Sequence, residues 1–333
     1  MIEQIIANIY RVEIPIPGNP LGTSNSYLVK GHSRNLIIDA GLGEPESMEA
    51  MAAALRQLGI DLAATDFFIT HLHPDHFGLV SALVGDTARV YLNQREMGWL
   101  DVADRPDDFV CFARSHGFSD KELTMASHTF SVLATSPRSD LGFRMLKEND
   151  AIDMGDMHFL CVETPGHTRG HLCLFEPTMK IFLAGDHVLP ATSPVLEFME
   201  SEGWEPLRDY MASLDKVSGL DVERVLPGHG SPFRGHRDRV DELKTHHERK
   251  LNEILSLMQD GRKTALQLAS LMNGNVRNAP WDTVPLLGKI IMVGDTVAHL
   301  SYLETNGDVR SQVAGDQVIY YSLVESNHGN RRA

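Results

Sequence analysis

The densest chemistry in the chain lies in one stretch, Thr70-His71-Leu72-His73-Pro74-Asp75-His76. Three imidazoles and a carboxylate so close together are costly to assemble unless a cation compensates them. The preceding Asp66-Phe67-Phe68-Ile69-Thr70 reads as a short apolar strand that runs into the first histidine. Alternate residues of an extended segment share a face, so the rings of His71 and His73 can point the same way. Pro74 stiffens the turn out of that segment. Asp75 and His76 then fall where a helix could begin.

Three later segments offer matching groups. Glu163-Thr164-Pro165-Gly166-His167 sets His167 in a glycine turn after an apolar run. Leu183-Ala184-Gly185-Asp186 and Leu226-Pro227-Gly228-His229-Gly230 do the same for Asp186 and His229. Each closes a run that reads as a strand, so all can converge on one rim of a sheet. Imidazole nitrogens and carboxylate oxygens together suit zinc, manganese or iron rather than magnesium alone. Of the 16 histidines, His32, His116, His128, His158, His236, His246, His247, His299 and His328 have no motif around them and read as surface or packing residues. The strand opened by His171 is expected to point it aside. His187, beside Asp186, reads either as a pocket wall or as a partner of the site.

These groups need a scaffold of strands. Alternation predicts strands over Ile5–Pro15, Ser26–Val29, Asn35–Asp39, Ala88–Leu92, Met157–Thr164, His171–Glu176 and Lys180–Ala184, and an amphipathic helix over Glu46–Leu58. Ile152–Asp156 reads as a turn. The stretch from 94 to about 135 is charged and helix-like, an inserted helical cap of the kind that shapes a substrate pocket. Beyond Gly235 the character changes. Helices are expected over Arg237–Gln259, Thr264–Met272 and Leu286–Asn306, then short strands at Val309–Arg310 and Gln317–Tyr321, which is winged-helix order. The domains are therefore read as 1–235 and 236–333, with a frayed tail at 327–333.

These motifs, in this order, resemble the metallo-β-lactamase superfamily over roughly residues 1–235. The resemblance implies an α/β fold, an αββα four-layer sandwich, here with the helical insertion and a small C-terminal winged-helix-like domain. It also implies two divalent metal ions, with zinc favoured and iron or manganese as alternatives. Carried over position by position, His71, His73 and His167 would hold the first ion, Asp75, His76 and His229 the second, and Asp186 would bridge them. Asp75 would hold the nucleophile and pass a proton to the leaving group. Asp39, at a strand end, is a candidate for orienting the rings. The complete run is similar to glyoxalase II-type hydrolases. It lacks the carboxylate that replaces a histidine in the family's redox members.

Bulk properties narrow the substrate. A formal net charge of −15 repels polyanions, and no cluster of Lys and Arg stands out. The expected substrate is a small-molecule ester or thioester. The alternative is a nuclease acting on single-stranded RNA, for which neither a basic track nor stacking aromatics can be assembled. A DNA-binding winged helix is a third reading, weakened by the near balance of acids and bases over 246–333. That region reads better as a dimerisation or cap-supporting element, in a homodimer. Cys111, Cys161 and Cys173 show no disulfide framework. No export signal is read at the N-terminus and no apolar stretch is read as a membrane span, so a cytoplasmic protein is expected.

Overall fold

The computed structural model describes residues 1–19, 21–98, 106–124, 141–196, 203–272, 280–315 and 317–324. They fall into two compact units. One holds the described residues within Met1–Asp104, Leu133–Pro194 and Asp209–Leu243, the other those within Arg105–Val132, Val195–Arg208 and Lys244–Ala333.

In the first unit, seven strands form a sheet in chain order: β1 (Ile2–Ile6), β2 (Ile9–Pro15), β3 (Thr23–Lys30), β4 (Asn35–Ile38), β5 (Thr65–Phe68), β6 (Val90–Asn93) and β7 (Phe143–Leu146). Pairing is antiparallel from β1 to β4 and parallel from β4 to β7. The switch at β4 decides where the chemistry sits. Because β4 and β5 run the same way with Ile38 opposite Phe68, the residues that follow them, Asp39 and Thr70, leave the sheet on one rim.

The second sheet is built from β8 (Ala151–Asp153), β9 (His158–Glu163), β10 (Leu172–Glu176), β11 (Ile181–Gly185) and β12 (Arg224–Pro227), in the order β12-β11-β10-β9-β8. Only β11 and β12 pair in parallel among these strands. The inner faces of the two sheets share one core. Val29, Leu36, Ile38 and Phe68 from the first meet Phe159, Cys161, Leu172, Leu174 and Leu183 from the second. Truncating a side chain of this kind, such as the fully buried Phe159, costs about 3–5 kcal/mol.

Helices cover the outer faces. Helix α1 (Pro45–Leu58) starts on a proline, where no intrahelical N–H is lost, and stops at the left-handed Gly59. Its Met51, Ala54 and Leu55 pack with Ile14, Ile37 and Phe67, and the short turns α2 (Pro74–Phe77) and α3 (Val80–Leu83) join the same core. In the described part of the insertion read over 94–135 lies α4 (Pro106–Ser115); residues 99–105 and 125–135 are outside the described residues. On the second sheet's side, α5 (Pro206–Ser218) buries Tyr210, Leu214 and Val217 at helical spacing. Its Ser213 hydroxyl donates to the Pro165 carbonyl and its Tyr210 hydroxyl to that of His187, each at 2.9 Å. The layers run helix, sheet, sheet, helix.

The second unit has its own core. Phe109 and Ala113 of α4 are buried with residues of α6 (His236–Leu257), α7 (Ala265–Leu271) and α8 (Leu286–Thr305), and with Val309 and Tyr321 of the hairpin β13 (Val309–Val313) and β14 (Ile319–Leu323). Thr264 caps α7 in a reciprocal box with Gln267, as its position before the apolar run predicts.

The structure departs from expectation at several places. The single strand expected over Ile5–Pro15 is two antiparallel strands, β1 and β2, with a turn between them at Ala7 and Asn8, and β7 has no counterpart among the expected strands. Residues 151–153 form the edge strand β8 rather than a turn; the turn begins only at Gly155, at φ 94°. Helix α5 has no counterpart among the expected elements. The helix Leu286–Thr305 is long and apolar enough, by length and composition, to cross a membrane, contrary to the expectation that no stretch approaches this. Its Ile290, Val293, Leu300 and Leu303 are buried in the second core. The tail at 327–333 lies outside the described residues.

Candidate metal centre

All seven residues singled out from the sequence come together on one rim of the first unit. His71, His73 and His167 form one group whose donor atoms lie within 4.8 Å of one another, and Asp75, His76 and His229 form another. A third group, His71, His76 and Asp186, overlaps both. Asp186 sits between the halves. Its Oδ2 lies 3.7 Å from His167 Nε2 and 3.4 Å from His229 Nε2, and its Oδ1 lies 3.5 Å from His76 Nε2.

The strand ends explain the convergence. The extended segment after β5 delivers His71 and His73, and Pro74 starts the turn α2 that swings Asp75 and His76 inward. The loop joining β9 to β10 carries His167; β11 and β12 end at Asp186 and His229. Gly228 is required here, because a Cβ would stand 2.3 Å from Asp186 Oδ1 and 2.8 Å from His76 Cε1.

Outer hydrogen bonds fix which ring nitrogen faces the centre. Asp39, at φ 55°, tucks its carboxylate under the rim. Its Oδ1 accepts from the Thr70 N–H, and its Oδ2 from the Thr70 hydroxyl, each at 2.9 Å. That hydroxyl, having given its proton to Asp39, can only accept from His71 Nδ1 at 2.9 Å. Asp39 Oδ2 also accepts from His76 Nδ1 at 2.8 Å, and the Thr23 carbonyl accepts from His229 Nδ1 at 2.8 Å. In neutral rings, therefore, the lone pairs of His71, His76 and His229 sit on Nε2 and point inward. His76 Nε2 then faces His229 Nε2 at 3.3 Å, and His71 Nε2 faces that of His167 at 3.2 Å. Were His76 and His229 both neutral, their facing lone pairs would repel unless a proton or a cation lay between them. Asp186 Oδ1 is buried with no hydrogen-bond partner, which makes the same demand. The residues fit divalent cations.

The electrostatics divide the site in two. Burial, then the neighbouring imidazoles, hold His71 well below the usual histidine range, and burial with His167 takes His73 down to about 3. These rings are neutral donors. On the other side, burial opposes charge, but Asp186, Asp75 and Asp39 overcome it and raise His76 to about 9. Asp186 and Asp75 likewise lift His229 well above its ordinary value despite its burial. Burial would push the two acids up, yet the imidazoles hold Asp75 and Asp186 well below the carboxylate range. Positive charge is stabilised on this rim, as protons or as metal.

Two further residues matter. His171 was expected to point aside, but it is fully buried: its Nε2 accepts the Asp186 N–H at 3.1 Å while its Nδ1 meets the Thr164 hydroxyl at 2.8 Å. It holds Asp186 by the backbone, a role with no signal in local spacing. His187 is fully buried, packed edge-on to Tyr210 and pushed down to about 3 by burial. Among the motif-less histidines, His116, His236, His247 and His299 are buried packing residues, His32, His158 and His246 are on the surface, and His128 and His328 lie outside the described residues.

Comparison with known proteins accords with this geometry. The family model described as "Metallo-beta-lactamase superfamily" matches residues 19–229. The "Probable metallo-hydrolase YqjP" of Bacillus subtilis is 25% identical over 95% of this chain and 98% of its own length. The "Acyl-coenzyme A thioesterase MBLAC2" of Gallus gallus is 30% identical over 64% of this chain and 75% of its own. A crystal structure of a metallo-beta-lactamase family protein from Thermus thermophilus, 27% identical, superposes with a TM-score of 0.80 over 96% of this chain and 100% of its own. The chain belongs to the metallo-beta-lactamase superfamily and is a metal-dependent hydrolase.

Proposed function

We infer that the chain is a binuclear hydrolase of small-molecule thioesters and esters, with His71, His73 and His167 holding one divalent cation, Asp75, His76 and His229 a second, and Asp186 shared. The observation that carries this reading is the placement of Asp186, within 3.7 Å of a histidine from each half and with a buried oxygen that no hydrogen bond satisfies. Zinc suits the nitrogen-rich donor set best. Cations bound in this way polarise a carbonyl oxygen and lower the pKa of a water toward neutrality.

The protein's own residues supply the rest. Asp39, through Thr70 and directly, keeps His71 and His76 in the tautomer that faces inward. Asp75, partly exposed and held ionised, has its Oδ2 3.3 Å from His229 Nε2. It can take a proton from the attacking water and return it to the departing thiolate or alkoxide, which leaves a carboxylic acid and a thiol or alcohol.

The acyl-thioester class is favoured by likeness to the acyl-coenzyme A thioesterase, and a net charge of −15 disfavours long polyanions such as RNA. A panel of acyl-CoA thioesters, p-nitrophenyl esters, lactones, bis-p-nitrophenyl phosphate and single-stranded RNA decides the matter. Thioester turnover that is abolished by a chelator and restored by zinc is the expected result. Cleavage of the phosphodiester or RNA with no acyl substrate turned over would overturn it.

A further inference from the structure

Glu96 is an interior acid with no motif around it. It follows β6 on a single 3-10 turn and is 2% exposed. Its Oε2 accepts from the Leu72 N–H at 2.8 Å, between His71 and His73. Its Oε1 accepts from the Thr168 hydroxyl at 2.5 Å and from the Gly170 N–H at 2.9 Å, just after His167. One carboxylate thus ties together two loops about a hundred residues apart in the chain.

The surroundings are shaped for this contact. A Cβ on Gly170 would stand 2.5 Å from the Glu96 backbone nitrogen and 2.9 Å from its Oε1, so only glycine lets the loop come this close. Asn93 anchors the same segment: its Oδ1 accepts from the Arg95 N–H and its amide donates to Glu163 Oε1, both at 2.9 Å. A backbone bond from the Leu172 N–H to the Thr70 carbonyl joins the two loops at their bases. Glu96 joins them at the tips, where the imidazoles are carried.

We propose that Glu96 is a positioning residue that locks the loops bearing His71, His73 and His167 into one binding geometry, and so sets the affinity of that half of the centre for its cation. The inference rests on the two-cation reading above. Leu72 lies between His71 and His73, and Thr168 and Gly170 follow His167, so each bond falls within three residues of a ligand of this half, and the effect is expected to be larger there than at Asp75 and His76 further along the first loop.

The test is stepwise zinc binding to the full chain by competition with a chelator, with cobalt(II) absorption as a second readout. His73→Ala and His229→Ala identify which step belongs to which half. Glu96→Gln keeps the size but turns a donor toward N–H or O–H groups that need an acceptor. It is expected to weaken the His71/His73/His167 step about 10- to 100-fold, to shift the cobalt bands of that half, and to leave the other step within about threefold. Equal weakening of both steps, or no change in either, would overturn the proposal. If Glu96→Gln fails to fold, Thr168→Val decides, since it removes one hydroxyl: selective loss at the same step supports the clamp, and an unchanged step overturns it. A wild-type chain that binds fewer than two zinc ions would sink the two-cation reading itself. Two ions with an unaffected variant would sink only the role of Glu96.

Discussion

Among the described residues are two buried clusters of histidine and aspartate, and they solve the same electrostatic problem in opposite ways. In the second unit, His247 Nδ1 meets His299 Nε2 at 3.0 Å, the Asp295 carbonyl accepts from His299 Nδ1 at 2.6 Å, and the Asp295 carboxylate pairs with Lys250. Its other oxygen accepts the Leu196 N–H at 3.0 Å. One acid meets one lysine, and each ring finds a neighbour. On the rim of the first unit, two acids and five imidazoles converge without a lysine in the ligand groups, with ring nitrogens facing one another and one buried carboxylate oxygen without a hydrogen bond. A cluster that satisfies itself is architecture. A cluster left with convergent acceptors is a candidate cation site.

Substitutions in the two clusters should separate on this line. The largest effect is expected from Asp186→Asn, which removes the shared carboxylate: turnover should fall about 1,000-fold, equivalent to about 4 kcal/mol, with loss of at least one metal equivalent and a retained fold. Metal analysis alongside steady-state kinetics reads both. Lys250→Met in the other cluster strands Asp295 as an uncompensated buried charge. It should cost about 3–5 kcal/mol of stability in denaturant melts while the folded enzyme keeps its kcat/KM. Equal loss of activity from both substitutions would erase the distinction.

Acid should find the second cluster through its neutral rings. Burial, reinforced by Lys250, takes His299 down to about 4 from an unfolded value of 6.5, and burial alone does the same for His116. A depressed folded value means that protons favour the unfolded chain. Stability is therefore whole above pH 6.5 and declines as the pH falls toward 4, by about 3 kcal/mol for His299. His299→Gln should flatten this slope in calorimetry between pH 7 and 4. Asp39→Asn sharpens the comparison from the metal side. It disturbs the tautomers of His71 and His76 and should weaken zinc binding about 10- to 100-fold, with little change in the melting of the second unit. The smallest effect is Thr264→Ala, which removes the α7 cap and should cost about 1 kcal/mol with no change in metal content.

The site is more legible in the sequence than the scaffold around it. Metal-competent groups stand out because packing alone rarely gathers so many of them, and strand-end placement is visible as an apolar run followed by a histidine or aspartate. The run from Phe67 to His73 and the segments ending at Asp186 and His229 show both features. What stays hidden is action through the backbone. His171 serves by accepting the Asp186 N–H, and Glu96 by accepting from Leu72 and Gly170; such partners leave no side-chain pattern in a sequence. Asp39 is legible because a strand-end acid on the same rim is a side-chain signal. Helix α5 carries a plain Tyr210, Leu214, Val217 stripe, a periodic signal that the expected elements do not include, whereas β8 is three residues long beside Gly155 and looks like its own turn. Helix α8 hides its apolar length because Asp295 and His299 interrupt it, and only the core shows that both polar groups are satisfied indoors.

The central claim is that the convergent cluster binds cations as a pair and the self-satisfied one does not. Calorimetric titration of the chelator-stripped chain with zinc tests it directly. Two equivalents bound with proton release, lost on Asp186→Asn and kept on His247→Gln, is the predicted result. A stripped chain that takes up no zinc, or that loses its uptake only when His247 is replaced, would contradict it.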